Sequence, residues 1–212
     1  MKRYVFILFI FLILMFSSPV WASKSLSKKT IVIDPGHGGM DPGTVSGKVL
    51  EKDLNLAISL ALKDALIKKG AHVILLRSGD YDLSMPKATH RKKSDFDNRI
   101  KIINTSNADL YLSIHLNYLT DSKYKGIQVF SRKKYLSDAK ILQNNLNNKL
   151  NSNRDAKLIP SSTYMYSRLN KKGFLIECGF LSNSEERTLL ISKEYQNKVA
   201  KSISEAVSVV LK

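Results

Sequence analysis

Two strand-like runs separated by a long helical stripe restrict this fold more than any other feature. Residues 30–34, TIVID, form a short apolar run closed by Pro35 and Gly36, the pattern of a buried strand. From about Glu51 to Lys69, a 3.6-residue period places Leu54, Ala57, Ile58, Ala61, Leu62, Ala65 and Leu66 on one stripe. Leu56, Leu60 and Ile67 widen the stripe, so much of this helix is expected to be covered. Gly70 stands where a glycine ends a helix. Residues 72–76, HVILL, then start a second strand. A strand, helix, strand unit of this length needs a crossover, which makes its two strands parallel.

The rest of the chain continues the alternation. Residues 78–94 read as a polar surface loop with a basic cluster at His90-Arg91-Lys92-Lys93, followed by a helix from about Asp95 to Thr105. ADLYLSIHLN (108–117) and GIQVFS (126–131) read as strands. Ala139, Leu142, Leu146 and Leu150 share a helical face, with Ser137 as its N-cap. STYMYS (162–167) has the composition of an edge strand, and GFLIE (173–177) is a further strand. Asn183 with Glu186 resembles a capping box, and Val199, Ile203, Ala206, Val207 and Val210 mark a last helix. The expected fold is α/β: one domain, with a central, mostly parallel twisted sheet and helices on both faces.

In such folds, sites lie outside the carboxyl ends of the strands. Four ionisable residues meet that condition: His37 after the first strand, Glu51 opening the first helix, His115 late in the third strand and Glu177 ending a later one. Two imidazoles and one carboxylate are a common catalytic zinc set that leaves an open coordination position. A second carboxylate nearby can move a proton from water to a leaving amine. Together these residues suit an amide hydrolase. Each also has a simpler reading. His37 is compatible with an ordinary turn, Glu51 with a favourable helix N-terminus, and His115 with a satisfied core histidine. Glu177 is harder to explain that way, because an unpaired carboxylate at a buried strand end is costly. Cys178 reads as a small buried thiol, while His72 and His90 are poorly placed for the same metal.

Residues 1–22 have the plan of a secretory signal peptide: Lys2 and Arg3, an apolar run from Tyr4 to Phe16, and Val20 and Ala22 at the cleavage positions. An uncleaved anchor is the alternative, and would be the chain's only membrane contact. Residues 23–29 then form a short N-terminal segment, and 30–212 one catalytic domain. Cys178 is the sole cysteine, so no internal disulfide is available. Lys and Arg number 34 against 18 Asp and Glu, a net charge of +16. That charge suits anionic wall polymers or headgroups. The expected export and the lack of a basic-aromatic motif argue against nucleic acid as a partner.

These residues also carry a family resemblance. VIDPGHGGMDPG (32–43), LEKDLNLAISLALKDAL (50–66), GAHVILLRSGD (70–80), NADLYLSIHLN (107–117), GIQVF (126–130) and LIECGFLSNSEE (175–186) run in the order of the family. The chain resembles the zinc-dependent N-acetylmuramoyl-L-alanine amidases of the amidase-3 type, and within them the single-domain enzymes of spore-cortex formation. The resemblance implies one Zn2+ at His37, Glu51 and His115, with Glu177 as the catalytic carboxylate. It implies peptidoglycan as substrate, cut between the lactyl group of N-acetylmuramic acid and L-alanine. In the cortex, this cut precedes formation of the muramic δ-lactam needed in germination. The expected location is extracytoplasmic, in the wall or the space around the forespore. Lacking an evident blocking helix or targeting domain, the chain is expected to work with an activating protein partner. One departure stands out. Lys171-Lys172-Gly173 replaces the apolar residue and Pro-Ala usual before the LIE strand, which places positive charge near the expected approach to the site. A wall-binding module without activity, or a zinc peptidase cutting within the stem, are the alternative readings.

Overall fold

A computed structural model of the chain describes residues 25–212, so the signal peptide expected at 1–22 lies outside the described residues. Strand β1 (Thr30–Pro35) is buried along its whole length, as a strand covered on both faces must be. It leads through a small hairpin, β2 (Val45–Ser46) and β3 (Val49–Leu50), into α1 (Glu51–Lys68). Helix α1 closes on a Schellman turn: Gly70, at φ +92°, donates to the Ile67 carbonyl, and Ala71 donates to Leu66. Strand β4 (His72–Leu75) follows and lies parallel to β1.

The remaining elements are α2 (Arg91–Thr105), β5 (Leu110–Asn117), β6 (Gln128–Ser131), α3 (Leu136–Leu150), β7 (Lys157–Leu158), α4 (Tyr164–Ser167), β8 (Gly173–Phe180), α5 (Ser184–Ile191) and α6 (Lys193–Val210). The main sheet has six strands in the order β4-β1-β5-β8-β6-β7. All its neighbours are parallel except β6 against β8. Helices α1, α3 and α6 cover one face through Ile58, Leu62, Leu142, Leu146, Ile203 and Val207. The other face is covered by α2, α4 and the segment around Leu169, with Ile103, Met165 and Tyr166 turned inward. The expected α/β sandwich is therefore present, with helices on both faces.

Three local expectations differ. Residues 162–167 are not an edge strand; they turn on a Thr163 to Pro160 hydrogen bond into α4. Met165 and Tyr166 are consecutive and both buried, turned inward from one short helical turn. The edge strand is β7 instead. Helix α2 begins at Arg91 rather than Asp95. Three basic residues at a helix N-terminus oppose its dipole, but Arg91, Lys92 and Lys93 pair with Asp82, Asp41 and Asp97 at 2.6, 3.3 and 2.7 Å. The N-cap of α3 is Tyr135 without a side-chain bond, so Ser137 lies inside the first turn.

The capping box at α5 is half formed. Asn183 accepts from the Glu186 amide at 3.0 Å, but the Glu186 carboxylate accepts from Phe180 and Gly126 amides instead of closing on Asn183. The Lys171-Lys172 pair precedes β8, at the sheet edge opposite the strands' carboxyl ends. Lys172 pairs with Asp138 at 2.8 Å. The two lysines thus do not stand at the mouth of the site. Gly173 has a packing reason: a Cβ there would lie 2.2 Å from the Tyr111 ring.

Candidate metal centre

The loop after β1 makes a tight reversal that aims one imidazole. His37, Gly38 and Gly39 take successive positive φ angles of +62, +130 and +56°. A left-handed histidine costs roughly 1–2 kcal/mol, so something must hold it. Two buried arginines do. Arg99 donates to the carbonyls of Pro35 (2.8 Å) and His37 (2.7 Å). Arg77 donates to Pro35 (3.0 Å) and Gly36 (2.9 Å). Each arginine is only 1% exposed. Arg99 is in turn neutralised by Asp34 and Asp95 at 2.5 and 2.9 Å.

His37, Glu51 and His115 come together, each offering one ligand atom with all three atoms within 4.8 Å of one another. His37 Nε2 lies 3.2 Å and His115 Nδ1 3.1 Å from the same oxygen, Glu51 Oε1. The imidazoles meet edge to face with centroids 4.9 Å apart. Helix α1 supplies Glu51 at its first residue. The carboxylate accepts from the Thr44 amide at 2.8 Å and the Leu116 amide at 3.1 Å, with Asn55 adding a third donor at 3.2 Å. Burial opposes the charge on Glu51, but the hydrogen bonds from His115 and His37 outweigh it and hold the carboxyl well below its usual range. Asp41 Oδ2 lies 3.0 Å from His37 Nδ1. It accepts the Nδ1 proton and so orients the ring with Nε2 turned toward Glu51, where a cation would take the place of the Nε2 proton; this is the usual outer support of a ligating histidine.

Glu177 completes the cleft. It sits opposite His115 in the pairing of β8 with β5. Its Oε2 is sealed from solvent and has no hydrogen-bond partner. Burial pushes the carboxyl up to about 7, against the attraction of His115. The cleft around these residues measures about 510 Å³ and is lined also by Tyr166, Asn117 and Tyr118.

The donor set fits zinc. Two nitrogens and one carboxylate oxygen are the ligand types of open catalytic sites. The surrounding backbone leaves the space a metal centre needs: a Cβ at Gly43 would lie 2.7 Å from Glu51 Oε2, and one at Gly36 would lie 2.3 Å from the His115 ring.

The four residues chosen from their places after strands thus share one cleft. His72 and His90 stand at the start of β4 and before α2, outside this group. Cys178 turns to the opposite face and is buried. Several supporting residues escaped notice in the sequence: Asp34, Asp41, Asn55, Arg77 and Arg99. Only the Asp95–Arg99 spacing of one helical turn hinted at a pair; the others act across long separations.

Comparison with known proteins follows the same line. The model of the family Amidase_3, N-acetylmuramoyl-L-alanine amidase, matches residues 31–209. The chain is similar to a germination-specific N-acetylmuramoyl-L-alanine amidase of Bacillus subtilis, with 42% identity over 96% of this chain and 90% of the relative. Among solved structures it resembles the CwlD amidase of Clostridioides difficile in complex with the GerS lipoprotein. That match has a TM-score of 0.81 and 38% identity, over 86% of this chain and 98% of the other. An N-acetylmuramoyl-L-alanine amidase from Clostridium difficile 630 matches with a TM-score of 0.76 and 31% identity, over 86% and 96% of the two chains.

Proposed function

This chain belongs to the Amidase_3 family of N-acetylmuramoyl-L-alanine amidases, and from that premise we propose how its residues carry the reaction. The enzyme hydrolyses the amide between the lactyl group of N-acetylmuramic acid and the L-alanine of the stem peptide. The observation that carries the assignment of roles is the convergence of His37, Glu51 and His115 beside the unpartnered Glu177 carboxyl.

His37 through Nε2, His115 through Nδ1 and Glu51 would hold one Zn2+. When bound, the ion polarises the scissile carbonyl and lowers the pKa of water to roughly 7. Glu177 acts as the proton carrier: its carboxylate takes a proton from the attacking water, and its acid form gives one to the departing alanine nitrogen. Burial near about 7 suits it to both tasks. Asp41 fixes the His37 tautomer, while Arg77 and Arg99 keep the loop in its strained turn.

The natural setting is a cell wall outside the cytoplasm, and the likeness to the germination-specific amidase of B. subtilis supports action on spore cortex, ahead of muramic δ-lactam formation. Residues 1–22 serve as the export signal, and 30–212 as the catalytic domain. The C. difficile relative was solved with a lipoprotein, which supports an activating protein partner that promotes metal loading or substrate access.

Metal analysis combined with mass spectrometry of products from purified glycan strands tests this. His37→Ala and His115→Ala should lose zinc and activity together. Glu177→Gln should keep zinc and lose activity by about 10²–10⁴-fold. Free stem peptides beginning with alanine are the expected product; shortened stems still attached to glycan would mean a peptidase. Full zinc occupancy and activity of the isolated chain would remove the case for a partner.

A further inference from the structure

A second cavity lies beyond the metal cleft, along the outer strands. This groove of about 540 Å³ runs between Arg132 and Lys133, which follow β6, and Tyr166 and Ser167 of α4. Leu158, Ile159 and Pro160 make it largely apolar. At one end stands a cation without a counterion. Arg132 donates through Nη1 to the Leu169 carbonyl and through Nη2 to the Lys171 carbonyl at 2.6 Å. Its guanidinium lies 5.3 Å over the Tyr135 ring. Its Nε is sealed from solvent and has no acceptor. Among the described residues, no carboxylate pairs with Arg132, Lys133 or Lys171; Lys172 takes the nearby Asp138.

Each Nη keeps a second N–H beyond these two bonds, and a charged donor beside apolar walls is suited to a carboxylate carried on an apolar frame. The position agrees with the reaction. Ser131 pairs with Phe174 across the antiparallel strands, so Arg132 comes next, opposite Gly173 and four residues short of Glu177. At ~3.3 Å per residue that is about 13 Å from the catalytic carboxyl. An extended peptide advances by nearly the same step. Tyr166 lines both the metal cleft and this groove, so the two meet across one ring.

We propose that the Arg132 groove is a carboxylate subsite, which receives an acidic group of the stem peptide three or four residues beyond the cleaved amide. This rests on the amidase reading and deepens it.

The test compares synthetic muramoyl tetrapeptides whose third- and fourth-residue carboxylates are free or converted to primary amides. Zinc-loaded wild-type protein should favour the acid by about tenfold in kcat/KM, mainly through KM. Arg132→Gln should bring that ratio to about one. Lys133→Gln, which alters an exposed side chain with no hydrogen bonds of its own, should reduce the ratio without unfolding the chain. A wild-type ratio of one, or a ratio unchanged in both variants, overturns the subsite. Should the wild type release no stem from either substrate, the amidase reading itself fails. The subsite is then judged by calorimetric titration with the free tetrapeptide and its amide, and equal binding of the two overturns it.

Discussion

Burial pushes the Glu177 carboxyl up to about 7, whereas a glutamate in an unfolded chain titrates near about 4.3. The folded chain therefore holds this proton more tightly. Between those two values the native state binds more protons than the unfolded one, so stability falls as pH rises through the window. Above about 7 the loss is complete. Glu177→Gln removes the ionisation. In chelator-treated protein it should raise the urea midpoint over wild type at pH 8 and leave it nearly unchanged at pH 4. Equal shifts at the two pH values would mean that Glu177 is not held protonated. The same residue illustrates what could be foreseen. Its place after an apolar strand marked it as costly to bury unpaired, and that cost is what readies it for proton transfer. Asp41 carried no such mark, because an aspartate just before Pro42 in a glycine-rich loop reads as turn chemistry. Its 3.0 Å contact with His37 Nδ1 exists only because the loop reverses.

Among the elements, α1 does two jobs through one periodicity. Its apolar stripe packs Ile58, Leu62 and Leu66 against the sheet, all at 0% exposure, and this fixes the helix axis. The first residue, Glu51, is thereby delivered to the strands' carboxyl edge. Leu62→Ala should cost about 2–5 kcal/mol of stability, read from urea unfolding at fixed metal content. A cost under about 1 kcal/mol would mean that the helix is not anchored at this face. The stripe was legible because a long amphipathic helix repeats its signal several times. Residues 162–167 had no such repetition. Four residues of helix cannot display a period, and their β-branched and aromatic content pointed the wrong way. Likewise the true start of α2 was hidden by basic residues whose partners lie outside the helix, Asp82 nine residues back and Asp41 in the loop after β1.

For the whole molecule, a net charge of +16 favours association with anionic wall polymer, and that attraction is screened by salt. Binding to purified walls should weaken severalfold between about 0.05 and 0.5 M salt, where the Debye length shrinks below about 5 Å. Binding independent of salt would assign it to specific contacts alone. Other properties divide between sequence and structure for a physical reason. The sequence by itself determined the alternation of strands and helices, the mostly parallel sheet, and the four residues at its carboxyl edge. Those follow from local periodicity and from the rule that crossovers place strand ends together. Tertiary structure alone decided the two-arginine support beneath His37, the seat of Lys172 on Asp138, and the groove at Arg132. Each joins groups from separate elements, often dozens of residues apart, and depends on side-chain reach across packed layers. No local pattern encodes such a distance. It becomes defined only when the sheet and its two helical layers have closed around it.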